Sequence, residues 1–179
     1  MPKILEEALE LRGGGPFKLG PGQITDDSEM AMAILHGLVP DILTKFLRDP
    51  SKENDPFSKN GYELDIAKIQ KYFSQWVRSP PFDIGKTTSI ALEPLSGFAG
   101  GPAKAEFEPE ESYKQTLKHC AQSQSNGCLM RVTPLAVWGR LLSKDDLFNA
   151  VNLQTALTHQ NKAAIDATYL YCLAIQQLI

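Results

Sequence analysis

Thr25, Asp26 and Asp27 stand side by side in the stretch Gln23-Ile24-Thr25-Asp26-Asp27-Ser28-Glu29-Met30, which puts one hydroxyl and two carboxylates within one turn of a helix start. Adjacent carboxylates repel, and a divalent cation placed between them removes that conflict. Mg²⁺ takes oxygen ligands in octahedral geometry at about 2.0–2.1 Å and keeps part of its water. The same triplet is also a good helix opening, because a threonine N-cap followed by acids suits the positive end of the helix dipole. Alone, the triplet leaves metal binding and capping both open.

Three later segments carry further polar chemistry. Ser125-Asn126-Gly127-Cys128-Leu129-Met130-Arg131-Val132-Thr133-Pro134 reads as a loop feeding a buried helix. Gly127 lets backbone approach a ligand, Asn126 offers a donor and an acceptor, and backbone N–H groups at a helix start suit a phosphate. Arg131 can give fixed charge to a pyrophosphate or to a nearby acid; a plain turn with an Asn cap and an Arg ion pair is the competing reading. Thr158-His159 precedes a helix, where His159 can donate to a ligand oxygen or simply cap backbone groups. Phe82-Asp83-Ile84-Gly85-Lys86-Thr87-Thr88 offers Asp83 either as the N-cap of the following helix or as a carboxylate facing a cationic leaving group such as guanidinium.

The elements that must position these residues are helical. Apolar spacing predicts helices over 3–11, from Thr25 to a break near 39 before Pro40, and over 62–77, 86–93, 111–121, 129–142, 144–157 and 161–179. The first is stopped by Gly13-Gly14-Gly15-Pro16, the third by Ser79-Pro80-Pro81. Residues 49–60 read as a polar surface loop, and 94–110, rich in proline and glycine, as the longest irregular region. No alternating pattern long enough for a sheet occurs, so the expected class is all-α in a single unit over 1–179.

Bulk properties narrow the function. At 179 residues, 42% hydrophobic and 22% charged, the chain has the composition of a globular protein with one core. A net charge of -3 supplies no broad cationic field for nucleic acid or an anionic membrane. Three cysteines, Cys120, Cys128 and Cys172, without CxxC spacing argue against a disulfide framework or structural zinc. No apolar stretch approaches the roughly 20 residues of a membrane span, and the acid-bearing N-terminus does not read as a signal peptide. A cytoplasmic location is the expectation.

In order along the chain, Gly13-Gly14-Gly15, Gly22 to Met30, Phe82-Asp83-Ile84-Gly85 with Thr87-Thr88, Asn126-Gly127 with Met130-Arg131 and Pro134, and Thr158-His159 resemble the ADP-ribosylglycohydrolase family. The resemblance implies an all-helical hydrolase that cleaves ADP-ribose from a modified protein side chain or a related ADP-ribose conjugate, using two Mg²⁺ ions. It implies metal ligation by Thr25, Asp26 and Asp27, with Asp26 and Asp27 catalytic. It implies an ADP-ribose site lined by Asn126, Gly127, Met130 and His159, with Asp83 on the substrate side. Family members also carry an earlier glycine- and alanine-rich acidic helix and a later Asp-x-Asp-Thr/Ser motif, neither of which is in this chain. The 179 residues are therefore expected to be a partial domain with half a metal shell and little activity alone. Two alternatives stand beside this: a catalytically inactive ADP-ribose-binding or structural relative, and a helical adaptor, which would leave Thr25-Asp26-Asp27 and Asn126-Gly127 unexplained.

Overall fold

The computed structural model describes residues 10–39, 64–96 and 109–179. Among these, seven α-helices and one 3₁₀ turn account for all regular structure apart from an isolated bridge between Gly14 and Leu19. The expected all-α class is what the chain adopts. The helix expected over 3–11, the loop over 49–60 and most of the irregular segment 94–110 lie outside the described residues.

Helix α1 spans Asp26–Leu38, with Thr25 at the N-cap in extended backbone and Asp26, Asp27 and Glu29 in the first turn. Its buried face is Met30, Ala33, Ile34 and Leu38, the three-and-four spacing of a core stripe. It closes where expected. Val39 is extended, as a residue before proline tends to be.

Helix α2 (Ile66–Arg78) is capped by Asp65, whose carboxylate accepts the Lys68 N–H at 2.8 Å. It buries Ile69, Phe73, Trp76 and Val77. Gly37 makes the α1–α2 contact close, because a Cβ there would overlap the Ile69 side chain. The Trp76 indole N–H donates to Glu29 at 2.6 Å, tying the two helices near the acidic end of α1.

Helix α3 (Lys86–Ser96) packs on α2 and on α4 (Pro109–Cys120). A short helix α5 (Thr133–Trp138) runs into the 3₁₀ turn Gly139–Leu141. It packs on α1 and on the last helix, α7 (Lys162–Gln176), which also receives α6 (Lys144–Ala156). Ser143 caps α6 and Asn161 caps α7 through their side chains.

The helix expected over 129–142 is shorter than its apolar pattern suggests. Pro134 has no N–H to return to the Met130 carbonyl, so a continuous helix cannot pass through it. Residues 127–131 instead form tight turns closed by Leu129 N–H and Met130 N–H on the Asn126 carbonyl.

One core joins these elements, with Met30, Ile34, Ile69, Phe73, Leu92, Leu135, Leu147 and Val151 essentially sealed from water. All three cysteines are buried and free. Among the described residues no helix is long and apolar enough to cross a membrane.

Candidate functional site

Two groups of polar side chains adjoin the N-terminal end of α3. The first is acidic. Asp26 keeps only 9% of its surface exposed, although it opens a helix, while Asp27 beside it faces water. Thr25 makes no capping bond; its hydroxyl turns to the Asp27 carboxylate at 3.4 Å. Burial, then the charges of Asp83 and Asp27, push the Asp26 carboxyl up to about 6. The helix dipole that favours an acid here is outweighed by desolvation and like charge.

Asp83 therefore belongs with the α1 acids electrostatically. It does not occupy the cap position of α3, where the Gly85 carbonyl accepts the Ser89 N–H. Of the two readings its sequence position allowed, the capping one is set aside by this geometry. Glu29, the third acid of the first turn, is committed to Trp76. Its role is holding α1 to α2.

The second group surrounds His159. This residue does not cap α7, a task Asn161 performs by accepting the Ala163 N–H at 3.0 Å. The imidazole is fully buried, with Nε2 at 2.8 Å from Ser125 Oγ and Nδ1 at 2.8 Å from Thr158 Oγ1. Burial, followed by the charge of Arg131, lowers His159 to about 3, so the ring is neutral at physiological pH. Gly127 lies against the same ring: a Cβ there would come within 3.1 Å of Thr88 Oγ1 and 3.2 Å of His159 Cε1. Only glycine keeps the turn this close without displacing its neighbours. Asn126 is exposed, and its side-chain amide makes no hydrogen bond among the described residues. Met130 is half-buried against the core.

Ser125 continues outward. Its hydroxyl donates to Thr87 Oγ1 at 3.0 Å, and Thr87 Oγ1 lies 2.6 Å from Ser123 Oγ. Thr87 and Thr88 sit in the first turn of α3, a few residues after Asp83. The start of α3 thus borders both the acidic group and the His159 group. The hydroxyl cluster of Thr87, Ser123 and Ser125 is invisible in sequence, since its members come from segments 36 and 38 residues apart.

Arg131 takes up neither expected role. It is completely buried and meets no carboxylate among the described residues. Its guanidinium lies over the Phe73 ring at 4.6 Å and donates to Thr158 Oγ1 at 2.7 Å and to the Gln154 carbonyl at 3.2 Å. Nη1 rests 3.9 Å from Met30 Sδ, one turn along α1 from the acids. Burial lowers its pKa to about 10, which still leaves it charged at neutral pH.

As for metal chemistry, Thr25, Asp26 and Asp27 provide hard oxygens, the donor type Mg²⁺ prefers. Among the described residues no three His, Cys, Asp or Glu side chains close on one point. A cation here would draw on the threonine hydroxyl, water or further donors as well as the carboxylates. Crowded acids at the head of α1 are compatible with such an ion, whose charge would offset their repulsion.

A family model described as ADP-ribosylglycohydrolase matches residues 2–179. An Acanthamoeba polyphaga mimivirus protein described provisionally as an ADP-ribosyl glycohydrolase is 30% identical over 156 residues, covering 84% of this chain and 38% of that protein. The ADP-ribosyl-(dinitrogen reductase) glycohydrolase of Rhodospirillum rubrum is 28% identical over 170 residues, 95% of this chain and 45% of its own length. An ADP-ribosylarginine hydrolase of Pseudomonas putida is 24% identical over 170 residues, 95% of this chain and 38% of the enzyme. The chain spans less than half the length of each of these relatives.

Proposed function

The chain belongs to the ADP-ribosylglycohydrolase family, and we propose that it carries part of the active site of a hydrolase that cleaves the glycosidic bond between ADP-ribose and a modified protein side chain. The observation that supports this most is the burial of Asp26 at the head of a helix, where the charges of Asp83 and Asp27 oppose its own.

In this reading Thr25, Asp26 and Asp27 hold Mg²⁺, which when bound supplies Lewis acidity and a positive field beside the ribose. Asp26 and Asp27 are the catalytic carboxylates. They stabilise the oxocarbenium-like charge that develops at the ribose carbon, and one of them accepts the proton of the attacking water. Asp83 faces the departing side chain, which a guanidinium would suit; two relatives are named for ADP-ribosylated dinitrogen reductase and ADP-ribosylated arginine. Asn126, Gly127, Met130 and His159 line the ADP-ribose, the exposed Asn126 amide and the close turn at Gly127 being free to meet it.

The test is release of ADP-ribose from an arginine-modified protein, by the 179-residue chain and by a version extended to the length of its relatives. Release that needs Mg²⁺ in the extended form and vanishes in Asp26→Asn and Asp27→Asn supports the assignment. Release that persists in EDTA, or in both variants, overturns it.

A second reading, binding of ADP-ribose without hydrolysis, is favoured by the absence of a three-acid cluster among the described residues. Calorimetry separates the two: ADP-ribose affinity that is unchanged by Mg²⁺, with no turnover in the extended form, selects the binder.

A further inference from the structure

We propose that the buried Arg131 is a positioning residue which, through the Thr158 hydroxyl, holds His159 as its Nε2–H tautomer and so makes the ring a fixed hydrogen-bond donor toward Ser125 and the Gly127 turn. This deepens the reading above, since it concerns how His159 meets the ADP-ribose.

The direction of each bond follows from what each group is able to do. A guanidinium has N–H groups and no acceptor. Its 2.7 Å contact therefore makes Thr158 Oγ1 an acceptor. The Thr158 hydroxyl is sealed from water, and its other partner is His159 Nδ1 at 2.8 Å. If Nδ1 carried the proton, Thr158 Oγ1 would accept twice and its own hydrogen would be left buried without an acceptor, which is costly. The hydroxyl must donate to Nδ1. A neutral imidazole whose Nδ1 accepts carries its proton on Nε2.

From there the polarity runs on. Nε2–H donates to Ser125 Oγ at 2.8 Å, and the Ser125 hydroxyl donates to Thr87 Oγ1. Thr87 Oγ1 lies in turn 2.6 Å from Ser123 Oγ, a bond in which either hydroxyl can donate. One obligate donor in the core thereby orders four polar groups, Thr158, His159, Ser125 and Thr87, on three segments. Burial, with the charge of the same cation added to it, disfavours a positive charge on the ring and keeps His159 neutral.

The consequence is a division of labour. His159 does not take a proton at Nε2, so it is no general base; that task stays with the carboxylates. It presents an N–H to a ligand oxygen that replaces or joins Ser125. Gln154, which accepts Arg131 Nε through its side chain at 3.3 Å and Nη2 through its carbonyl, keeps the guanidinium aimed at Thr158.

Two-bond ¹H–¹⁵N correlation spectra of the ¹⁵N-labelled 179-residue chain read the tautomer directly and need no catalytic activity. The wild type is expected to show His159 Nδ1 as an unprotonated, pyridine-type nitrogen and Nε2 as a protonated, pyrrole-type one. Thr158→Val, close in volume, removes the donor, and the two shifts are expected to move toward each other as both tautomers become populated. Thr158→Ser is expected to restore the wild-type pattern. Arg131→Met frees the Thr158 oxygen and is expected to give the same mixing. A protonated Nδ1 in the wild type, or an unchanged pattern in folded Thr158→Val, overturns the proposal. Should Arg131→Met fail to fold, Thr158→Val and Thr158→Ser decide it alone. Loss of hydrolase activity in the extended form would sink the functional reading and leave this result standing.

Discussion

Asp26→Asn is expected to stabilise the metal-free protein, although the residue is assigned to the chemistry. Asparagine keeps the shape and an oxygen for the Asp27 backbone N–H, and it removes the charge that Asp83 and Asp27 oppose. The wild-type carboxyl is raised to about 6, so the folded state holds its proton more tightly than the unfolded chain does. The contribution of Asp26 to stability is then greatest at low pH and falls as pH rises from the ordinary aspartate range through about 6, with the full penalty above that. At about 1.4 kcal/mol per pH unit the ceiling is about 3 kcal/mol. Water at the open, Asp27 side of the helix end screens part of it, leaving about 1–2 kcal/mol. Urea unfolding in EDTA reads this: the variant should exceed wild type by that amount at pH 7.5, and the gap should close near pH 4. Adding Mg²⁺ should raise the wild type more than the variant. A less stable variant at pH 7.5, or a difference independent of pH, would refute the charge-crowding account of the α1 head.

Three other perturbations probe the remaining supports. Gly127→Ala pushes a methyl group to 3.1–3.4 Å from Thr88 and the His159 ring; ADP-ribose affinity by calorimetry should fall roughly tenfold, about 1.4 kcal/mol, and unaltered affinity would remove this turn from the site. Gly37→Ala drives a methyl into Ile69, and the overpacking, about 1–3 kcal/mol, should exceed the gain of about 1 kcal/mol from better helix propensity. A net rise in urea midpoint would show that α1 and α2 do not approach so closely. His159, lowered to about 3 by burial and Arg131, is neutral when folded and takes up a proton near 6.5 when unfolded. The contribution of His159 to stability should therefore be intact above about pH 6.5 and decline below it, by up to about 1.4 kcal/mol per pH unit toward pH 3. His159→Asn should flatten that slope, and an equally steep acid limb in the variant would assign the loss elsewhere.

The helices were legible because their signals are local. Ile69, Phe73, Trp76 and Val77 mark the buried side of α2 by spacing alone, and Pro134 was already present to say that no helix runs unbroken from 129 to 142. Arg131 was not legible. An arginine after Asn126-Gly127 suggests a ligand anion or a salt bridge, and its burial depends on Gln154 and Thr158, which follow 23 and 27 residues later. The hydroxyl cluster at Thr87, Ser123 and Ser125 is likewise a product of tertiary packing.

Asp83 shows where the two sources meet. Its sequence position allowed a cap for α3 or a carboxylate for a substrate, and each would have been physically ordinary. With Gly85 in the cap position, the Asp83 carboxylate is not the cap of α3, and its charge works against that of Asp26. Such an arrangement lowers the stability of the protein wherever all three acids are ionised. In the proposed reading that cost is offset by the cation the acids hold. Because Glu29 is withdrawn to Trp76, the ligand oxygens in that reading are those of Thr25, Asp26 and Asp27.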